Sequence, residues 1–206
     1  TFLIKFVVQN LRSKRKSLEI LKEEKAGNHW HPLRMTVIGA VKSIVRGVQD
    51  LFIDRTSGEP IFKVKIHDEE LEFKQLSAGF QVMTGLAIDI ALRMAWLNPD
   101  IEKPLEVQGV ILIDEIELHL HPEWQQRVIL DLQRTFPNIQ FIMTTHSPQV
   151  LSTVDKKCIR KLVVGQDGFV SAETPYFQTR GVGSMDILNH IMDVPSAPEV
   201  PEHKLV

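Results

Sequence analysis

Cysteine is nearly absent from this chain, because Cys158 is the single cysteine among 206 residues. One cysteine cannot form a disulfide within the chain, so a small secreted scaffold held together by disulfides is excluded. The same scarcity favours a reducing compartment, and we therefore expect a cytoplasmic protein. The chain also has no internal repeat and no low-complexity tract.

The chain also has a small net charge and no long apolar run. The formal net charge is −2 and the isoelectric point is about 6.4, so global electrostatics favour no nucleic-acid partner. The basic residues between Arg12 and Lys16 are interpreted as a solvated helix face rather than a phosphate-binding patch. No apolar run reaches the roughly 18 residues of a membrane-spanning helix, and we expect no membrane association. With 43% hydrophobic and 24% charged residues, the composition is that of a globular domain.

The stretch GVILIDE at 109–115 organises the chain. Its uninterrupted apolar run is typical of a strand buried on both faces of a parallel sheet. The run stops at two carboxylates, Asp114 and Glu115, and ligands of open α/β sheets bind at the carboxyl ends of such strands. One acid after a buried strand can help to hold Mg²⁺, and its neighbour can orient an attacking water. From this stretch alone, a strand end that simply meets solvent stays an equal alternative.

Strands and helices alternate from 105 to 165, which predicts an α/β domain with a parallel sheet. The apolar spacing predicts helices over 1–24, 35–53, 78–97, 122–136 and 183–193, and a short helix after Ser147. In the first of these, the stretch FLIKFVV also fits a strand. Strands are expected at 110–113 and 139–145, with hairpins at 61–73 and 159–173. The segment 25–34 is expected to be a loop.

Three motifs follow one another at element boundaries: LSAGFQ at 76–81, VILIDE at 110–115 and TTHS at 144–147. Together they resemble the signature, the Walker B strand and the switch histidine in the second half of an ABC-class ATPase domain. The resemblance implies a three-layer P-loop NTPase fold with a mainly parallel central sheet, an antiparallel hairpin and a helical insertion. We expect this insertion at 1–58, the ATPase core at 59–195 and a flexible tail at 196–206.

Walker B runs directly into IELHLHPEWQ, and this wording is similar to AAA family ATPases related to RecF, SMC and OLD proteins. The closing stretch GSMDILNHIMDVPSAPEV resembles the PtuA-type ATPases of Septu and retron anti-phage defence systems. In those systems the ATPase works with an HNH-type endonuclease. The resemblance therefore implies ATP and Mg²⁺ as cofactors, a homodimer or higher oligomer whose heads sandwich ATP, and an HNH-type endonuclease as partner. DNA or RNA is a further candidate partner.

The resemblance also assigns the site residues. Asp114 would assist Mg²⁺ binding, Glu115 would polarise the attacking water, and His146 would sense the γ-phosphate. The signature residues would act on the ATP held by a second protomer; they are Ser77, Ala78, Gly79 and Gln81. A glycine suits this role because a backbone that touches phosphate leaves no room for a side chain.

A phosphate loop is missing, since no GxxxxGK[ST] stretch occurs in these residues. That loop and its lysine cradle the β- and γ-phosphates. The chain begins at Thr1 rather than methionine and shows no signal peptide. We therefore expect a chain cut just after its phosphate loop, active as an ATPase only in its full length; a degenerate half-site is the alternative.

Two other functions compete with the ATPase. A degenerate ATPase fold could serve as a non-hydrolysing scaffold for protein or DNA. A metal-dependent nuclease could use Asp114, Glu115, His119 and His121, since the two histidines would share a face at strand spacing. We rank the nuclease last, because the signature and TTHS motifs would then be coincidence. Glu117 is interpreted as an acid of the loop rather than as a contact to a partner protomer.

Overall fold

The structure, a computed structural model, describes residues 30–56 and 58–195. The helices in chain order are α1 (Trp30–Ile44), α2 (Ala78–Leu97), α3 (Pro122–Gln125), α4 (Val128–Thr135), α5 (Pro148–Leu151) and α6 (Ser184–His190). The strands are β1 (Val48–Asp54), β2 (Ile61–Ile66), β3 (Glu69–Glu72), β4 (Gly109–Ile113), β5 (Ile139–Met143), β6 (Lys161–Val164) and β7 (Val170–Glu173). The helix expected over 1–24 and the tail at 196–206 lie outside the described residues.

The helix predicted for 35–53 is wrong beyond Ile44, because the chain turns and continues as β1. Gly47 makes the turn with a φ of 86°, and a Cβ there would lie 2.9 Å from the ring of His67. Only glycine adopts this conformation without strain. The apolar residues of β1 fit helical and strand spacing alike, and pairing with β2 resolves the ambiguity. The start of α1 at Trp30 also corrects the loop expected through residue 34.

An antiparallel sheet of order β1-β2-β3 follows α1. The hairpin predicted at 61–73 is confirmed as β2 and β3, with Lys63 opposite Glu72. Its turn places His67 and Asp68 at φ values of 46° and 69°, the left-handed conformation that two-residue hairpin turns use. Leu51 of β1 and Val64 of β2 are partners in the ladder and are both buried.

Helix α2 has the predicted bounds and supplies much of the core. It packs along α1, and its buried residues are Met83, Thr84, Ala87, Ile88, Ile90, Ala91, Leu92 and Met94. The sequence expectation on membrane spans needs a correction, because α2 is long and apolar enough to span a membrane, with a mean hydropathy of 1.3 over 18 residues. Of that window, 44% is buried within the protein. A core helix of a globular domain has the same length and composition.

Strands β4 and β5 are parallel, as predicted, with Ile113 opposite Met143. The expectation that β4 is buried on both faces is wrong for the described residues, because Val110 is 56% exposed and Leu112 38%. Ile113, at the end of the strand, is buried in the core. The register places the last residues of both strands side by side, and so brings the following residues together.

The single helix predicted for 122–136 is two helices, α3 and α4, that are separated at Gln126 and Arg127. The side chain of Asp131 on α4 is buried between the guanidinium groups of Arg127 and Arg134. The same two arginines donate hydrogen bonds to the carbonyl oxygens of Ile44 and Ser43 at the end of α1. These bonds satisfy carbonyls that a helix end leaves without partners.

A smaller unit ends the described chain. Strands β6 and β7 pair antiparallel, and α6 packs on α5, which confirms the predicted hairpin and helix. Its apolar cluster consists of Leu151, Ile159, Ile187 and Ile191. Asp155 accepts hydrogen bonds from the Lys157 N–H and the Gln178 side chain, and these bonds lower the pKa of its carboxyl, the Lys157 bond most.

Candidate functional site

Asp114 and Thr144 are the first residues after the parallel strands β4 and β5, and they lie side by side. The hydroxyl Oγ1 of Thr144 donates to Asp114 Oδ1 at 2.6 Å. Thr144 Oγ1 also accepts a hydrogen bond from the backbone N–H of Glu115 at 2.7 Å. Thr144 is 3% exposed, whereas Asp114 and Glu115 are exposed. A buried hydroxyl therefore aims two exposed acids from the end of the sheet.

The backbone around Thr144 is fixed from both sides. Its N–H donates to the carbonyl of Ile113 at 3.0 Å, and its carbonyl accepts from Ile116 at 3.1 Å. These bonds extend the β4–β5 pairing past the last strand residue. Every polar group of Thr144 has a partner. Its hydroxyl therefore has a fixed position from which it bonds Asp114 and the Glu115 N–H.

The chain after Asp114 folds into two overlapping turns. The carbonyl of Glu115 accepts from the Leu118 N–H, and the carbonyl of Glu117 accepts from the Leu120 N–H, both at 2.9 Å. Glu115 and His119 have φ values of 49° and 63°. Positive φ is costly for residues with a Cβ and is concentrated at functional sites. Glu115 is therefore presented from a strained but well-bonded turn.

His146 lies two residues beyond Thr144 and is tied to the same turns. Its backbone N–H donates to Glu117 Oε1 at 2.5 Å. The other oxygen of that carboxylate, Oε2, is buried and has no hydrogen-bond partner among the described residues. The structure thus brings the three strand-end residues of the sequence prediction, Asp114, Glu115 and His146, into one cluster.

A second link between the two loops runs through Ser147 and Gln125. Ser147 begins α5, as predicted, and its Oγ accepts from the N–H groups of Gln149 and Val150. The same hydroxyl donates to Gln125 Oε1 at 2.6 Å. Gln125 in turn donates from Nε2 to the carbonyl of Leu120 at 2.8 Å. Helix α3 therefore bridges the loop after β4 and the loop after β5.

The signature-like residues lie at the start of α2. Ser77 is the N-cap, with its Oγ accepting from the Phe80 N–H at 3.4 Å, and Ser77 and Ala78 are both exposed. Gly79 packs against the loop after β4: a Cβ there would lie 3.2 Å from the carbonyl oxygen of His119. Gln81 donates instead to the carbonyls of Leu76 and Lys74, at 2.7 and 3.3 Å.

These positions bear differently on the predicted roles. Ser77 and Ala78 are presented to solvent, as contact with a second protomer requires. The side-chain amide of Gln81 faces its own backbone, so the structure adds no support for a contact between Gln81 and ATP. The nucleotide contacts of all four signature residues stay predictions.

The chemistry of the site fits a magnesium nucleotide. Asp114 uses Oδ1 for Thr144 and keeps a second exposed carboxylate oxygen, and Mg²⁺ prefers such oxygen ligands and retains waters. No three histidine, cysteine or acidic residues come together as a metal cage within 30–56 and 58–195. His121 is occupied as the N-cap of α3, where its Nδ1 accepts from the Glu123 N–H at 3.4 Å. The nuclease interpretation built on His119 and His121 gains no support from this geometry.

From the sequence, Thr144 and Gln125 received no part in the site, and Glu117 was interpreted as a loop acid. Thr144 is part of the TTHS motif and follows a predicted strand, so its position was a usable signal. Glu117 and Gln125 carried none, because their partners lie 29 residues and 22 residues away in the chain.

Comparison with known proteins places this chain in a family. A family profile described as "AAA domain, putative AbiEii toxin, Type IV TA system" matches residues 47–152, a range that includes the signature-like, Walker B and TTHS motifs. The chain belongs to this AAA family. Its membership confirms the resemblance drawn from the three motifs.

Curated relatives carry names from two systems. The chain is 39% identical over 198 residues to the "Retron Ec83 probable ATPase" of Escherichia coli, an alignment that covers 94% of this chain and 34% of that protein. It is 35% identical over 116 residues to the "Septu protein PtuA" of Bacillus mycoides, covering 52% of this chain and 15% of that protein. The AAA domain therefore has relatives of the predicted retron and Septu types, and the chain spans about a third of the first relative.

A solved structure shows the same fold. The match is described as "Structural biochemistry of ATP-driven dimerization and DNA stimulated activation of SMC ATPases", with a TM-score of 0.51 and 17% identity. It covers 87% of this chain and 97% of that one. The likeness confirms the P-loop NTPase fold predicted from the motifs.

Proposed function

We propose that the full-length protein binds and hydrolyses ATP with Mg²⁺, and that two heads sandwich ATP to regulate a nuclease in anti-phage defence. One observation carries the catalytic part: the Thr144 hydroxyl holds Asp114 and the Glu115 N–H together at the ends of β4 and β5. Membership of the AAA family and a relative named as a retron ATPase support it.

Each residue has a defined task in this proposal. Asp114 would hold Mg²⁺, directly or through a water, with the oxygen that Thr144 leaves free. Glu115 would orient and polarise the water that attacks the γ-phosphate, and His146 would contact that phosphate. Bound Mg²⁺ would neutralise charge that develops on the phosphate oxygens.

The dimer is the finer part of the proposal. Ser77 and Ala78 are exposed at the start of the 20-residue helix α2, whose N-terminal end favours anions. They would contact the ATP of a second protomer. The SMC structure with the same fold is described as showing ATP-driven dimerisation, and the Septu relative suggests a partner in a defence system. We propose an HNH-type endonuclease as that partner, and DNA or RNA as a further partner.

Glu115→Gln in the full-length protein tests the proposal. Hydrolysis is expected to fall about 100-fold or more, because the amide cannot accept the proton of the attacking water. ATP stays bound, and light scattering after size exclusion is expected to show an accumulated dimer. Glu123→Gln, which changes an exposed acid on α3, is the matched control and should hydrolyse ATP normally.

The alternatives give other outcomes. A wild-type protein without ATP turnover would be the non-hydrolysing scaffold. Turnover that Glu115→Gln leaves unchanged would instead contradict the role proposed for Glu115. Divalent-dependent DNA cleavage without ATP would be the nuclease. We also propose that residues 1–206 by themselves do not turn over ATP, because they contain no GxxxxGK[ST] stretch; measurable turnover by this piece would contradict that statement.

A further inference from the structure

Glu117 combines a short hydrogen bond with an unused oxygen. Its Oε1 accepts from the His146 N–H at 2.5 Å, while Oε2 is buried without a hydrogen-bond partner among the described residues. A buried polar atom that makes no bond is costly and rare in native proteins. The cost calls for an explanation of why a carboxylate reaches into this position.

The turn that contains Glu117 is held by backbone hydrogen bonds that do not involve its side chain. Leu118 donates to the carbonyl of Glu115, and Leu120 donates to the carbonyl of Glu117. The side chain therefore extends from a rigid double turn. It reaches a loop 29 residues further along the chain, so the contact joins the loop after β4 to the loop after β5.

Glu117 contacts the backbone of His146, the residue proposed to contact the γ-phosphate. His146 is exposed, and its neighbour Ser147 is held separately by Gln125. Thr144, on the other side, is held by the strand ends. Each of the three residues therefore has its own partner, and the partner of the His146 N–H is Glu117.

We propose that Glu117 is a positioning residue that sets the location of His146 beside Asp114 and Glu115. This inference rests on the proposed ATPase function. Glu117 acts through His146 and does not touch the nucleotide. A charge-assisted bond from a carboxylate to a backbone N–H is short and strong, and it holds the loop where a small displacement would slow the chemistry.

The test uses the full-length protein and several variants of Glu117. Glu117→Ala removes the acceptor, and Glu117→Asp keeps the charge but shortens the reach by one methylene group. Both are expected to lower kcat about 10- to 100-fold, the range that follows from misplacing a catalytic group, with little change in KM for ATP. Glu117→Gln keeps an acceptor oxygen but loses the charge, and it is expected to lower kcat less than Glu117→Ala or Glu117→Asp.

A double variant separates positioning from general structural damage. If Glu117 acts through His146, then Glu117→Ala/His146→Ala hydrolyses ATP no more slowly than His146→Ala alone. Additive losses would overturn the proposal. Glu123→Ala, which removes an exposed acid six positions away, is the control and should leave the rate unchanged.

Amide hydrogen exchange gives a readout that needs no ATPase activity. The His146 amide is expected to exchange faster in Glu117→Ala and Glu117→Asp than in the wild type, and unchanged in Glu123→Ala. A wild-type protein without turnover would refute the proposed function, and exchange at His146 would then test the positioning alone. Unchanged exchange, or normal kcat in both Glu117→Ala and Glu117→Asp, would overturn the inference. Should Glu117→Ala fail to fold, Glu117→Asp and Glu117→Gln decide it.

Discussion

Asp114 and Asp131 belong to two polar networks that use similar residues in opposite ways. Asp131 is 3% exposed, and both of its oxygens accept from guanidinium groups, those of Arg127 and Arg134. Asp114 is exposed and has one oxygen bound by the Thr144 hydroxyl. A carboxylate that is buried and fully paired stabilises packing, whereas one that is held but left partly free can bind a ligand.

The residues that bond the two aspartates also connect different parts of the fold. Around Asp131 the two arginines also donate to the carbonyls of Ser43 and Ile44, so the network joins α1 to α4. Around Asp114 the bonds run between two loops that begin at neighbouring strand ends. The first network joins helices, and the second aims side chains at solvent. Both depend on contacts distant in sequence.

The strongest test of this contrast is Thr144→Val in the full-length protein. Valine has nearly the shape of threonine but can neither donate to Asp114 nor accept from the Glu115 N–H. ATP turnover is expected to fall about 100-fold, because both acids lose their alignment. Thr144→Ser keeps the hydroxyl and should retain most of the turnover. Wild-type turnover in Thr144→Val would show that the hydroxyl does not align the acids.

Asp131→Asn should give the opposite result. Removing one charge from a buried ionic network is expected to lower the free energy of unfolding by about 3 kcal/mol, seen as a lower melting temperature. Turnover per folded molecule at a permissive temperature should stay unchanged. Asp89→Asn is the control, since the half-buried Asp89 pairs with the exposed Arg93 one helical turn away. This change should cost about 0.5 kcal/mol. Equal costs for the two variants would remove the distinction drawn from burial.

The smallest expected effect concerns Asp54 in β1. Lys63 bonds its carboxylate at 2.5 Å, and Thr56 donates to the other oxygen. These bonds hold the pKa of Asp54 well below its usual range, the Lys63 bond most, and the same bond raises the pKa of Lys63.

Because the folded pKa of Asp54 is lowered, its stabilisation is complete above the ordinary carboxyl value of about 3.9 and is lost progressively as the pH falls from that value towards the lower pKa of the folded protein. The melting temperature of Asp54→Asn should therefore lie slightly below that of the wild type at pH 7. The gap is expected to narrow below about pH 4. Glu102→Gln, an exposed acid outside this sheet, is the control. A gap that persists unchanged at pH 3 would contradict the sign of the shift.

Local signals predicted much of the fold. The bounds of α2, the strand β4, the N-cap at Ser147 and the hairpins at 61–73 and 159–173 follow from apolar spacing, capping residues and turn residues. The places where prediction was wrong have physical reasons. Val48 to Phe52 fit helix and strand spacing alike, and the interruption between α3 and α4 has no proline or glycine to announce it.

The candidate site divides in the same way. The motifs alone predicted Asp114, Glu115 and His146 as site residues, since each follows a strand end or a conspicuous apolar run. The contacts of Thr144 with Asp114 and of Glu117 with His146 became visible only in the structure, where the parallel register places Ile113 opposite Met143. The alternation of strands and helices predicted a parallel pair, but it did not give the register between residues about 30 positions apart that brings these side chains into contact. Sequence thus establishes the chemistry that is present, and packing of the strands establishes which groups hold it in place.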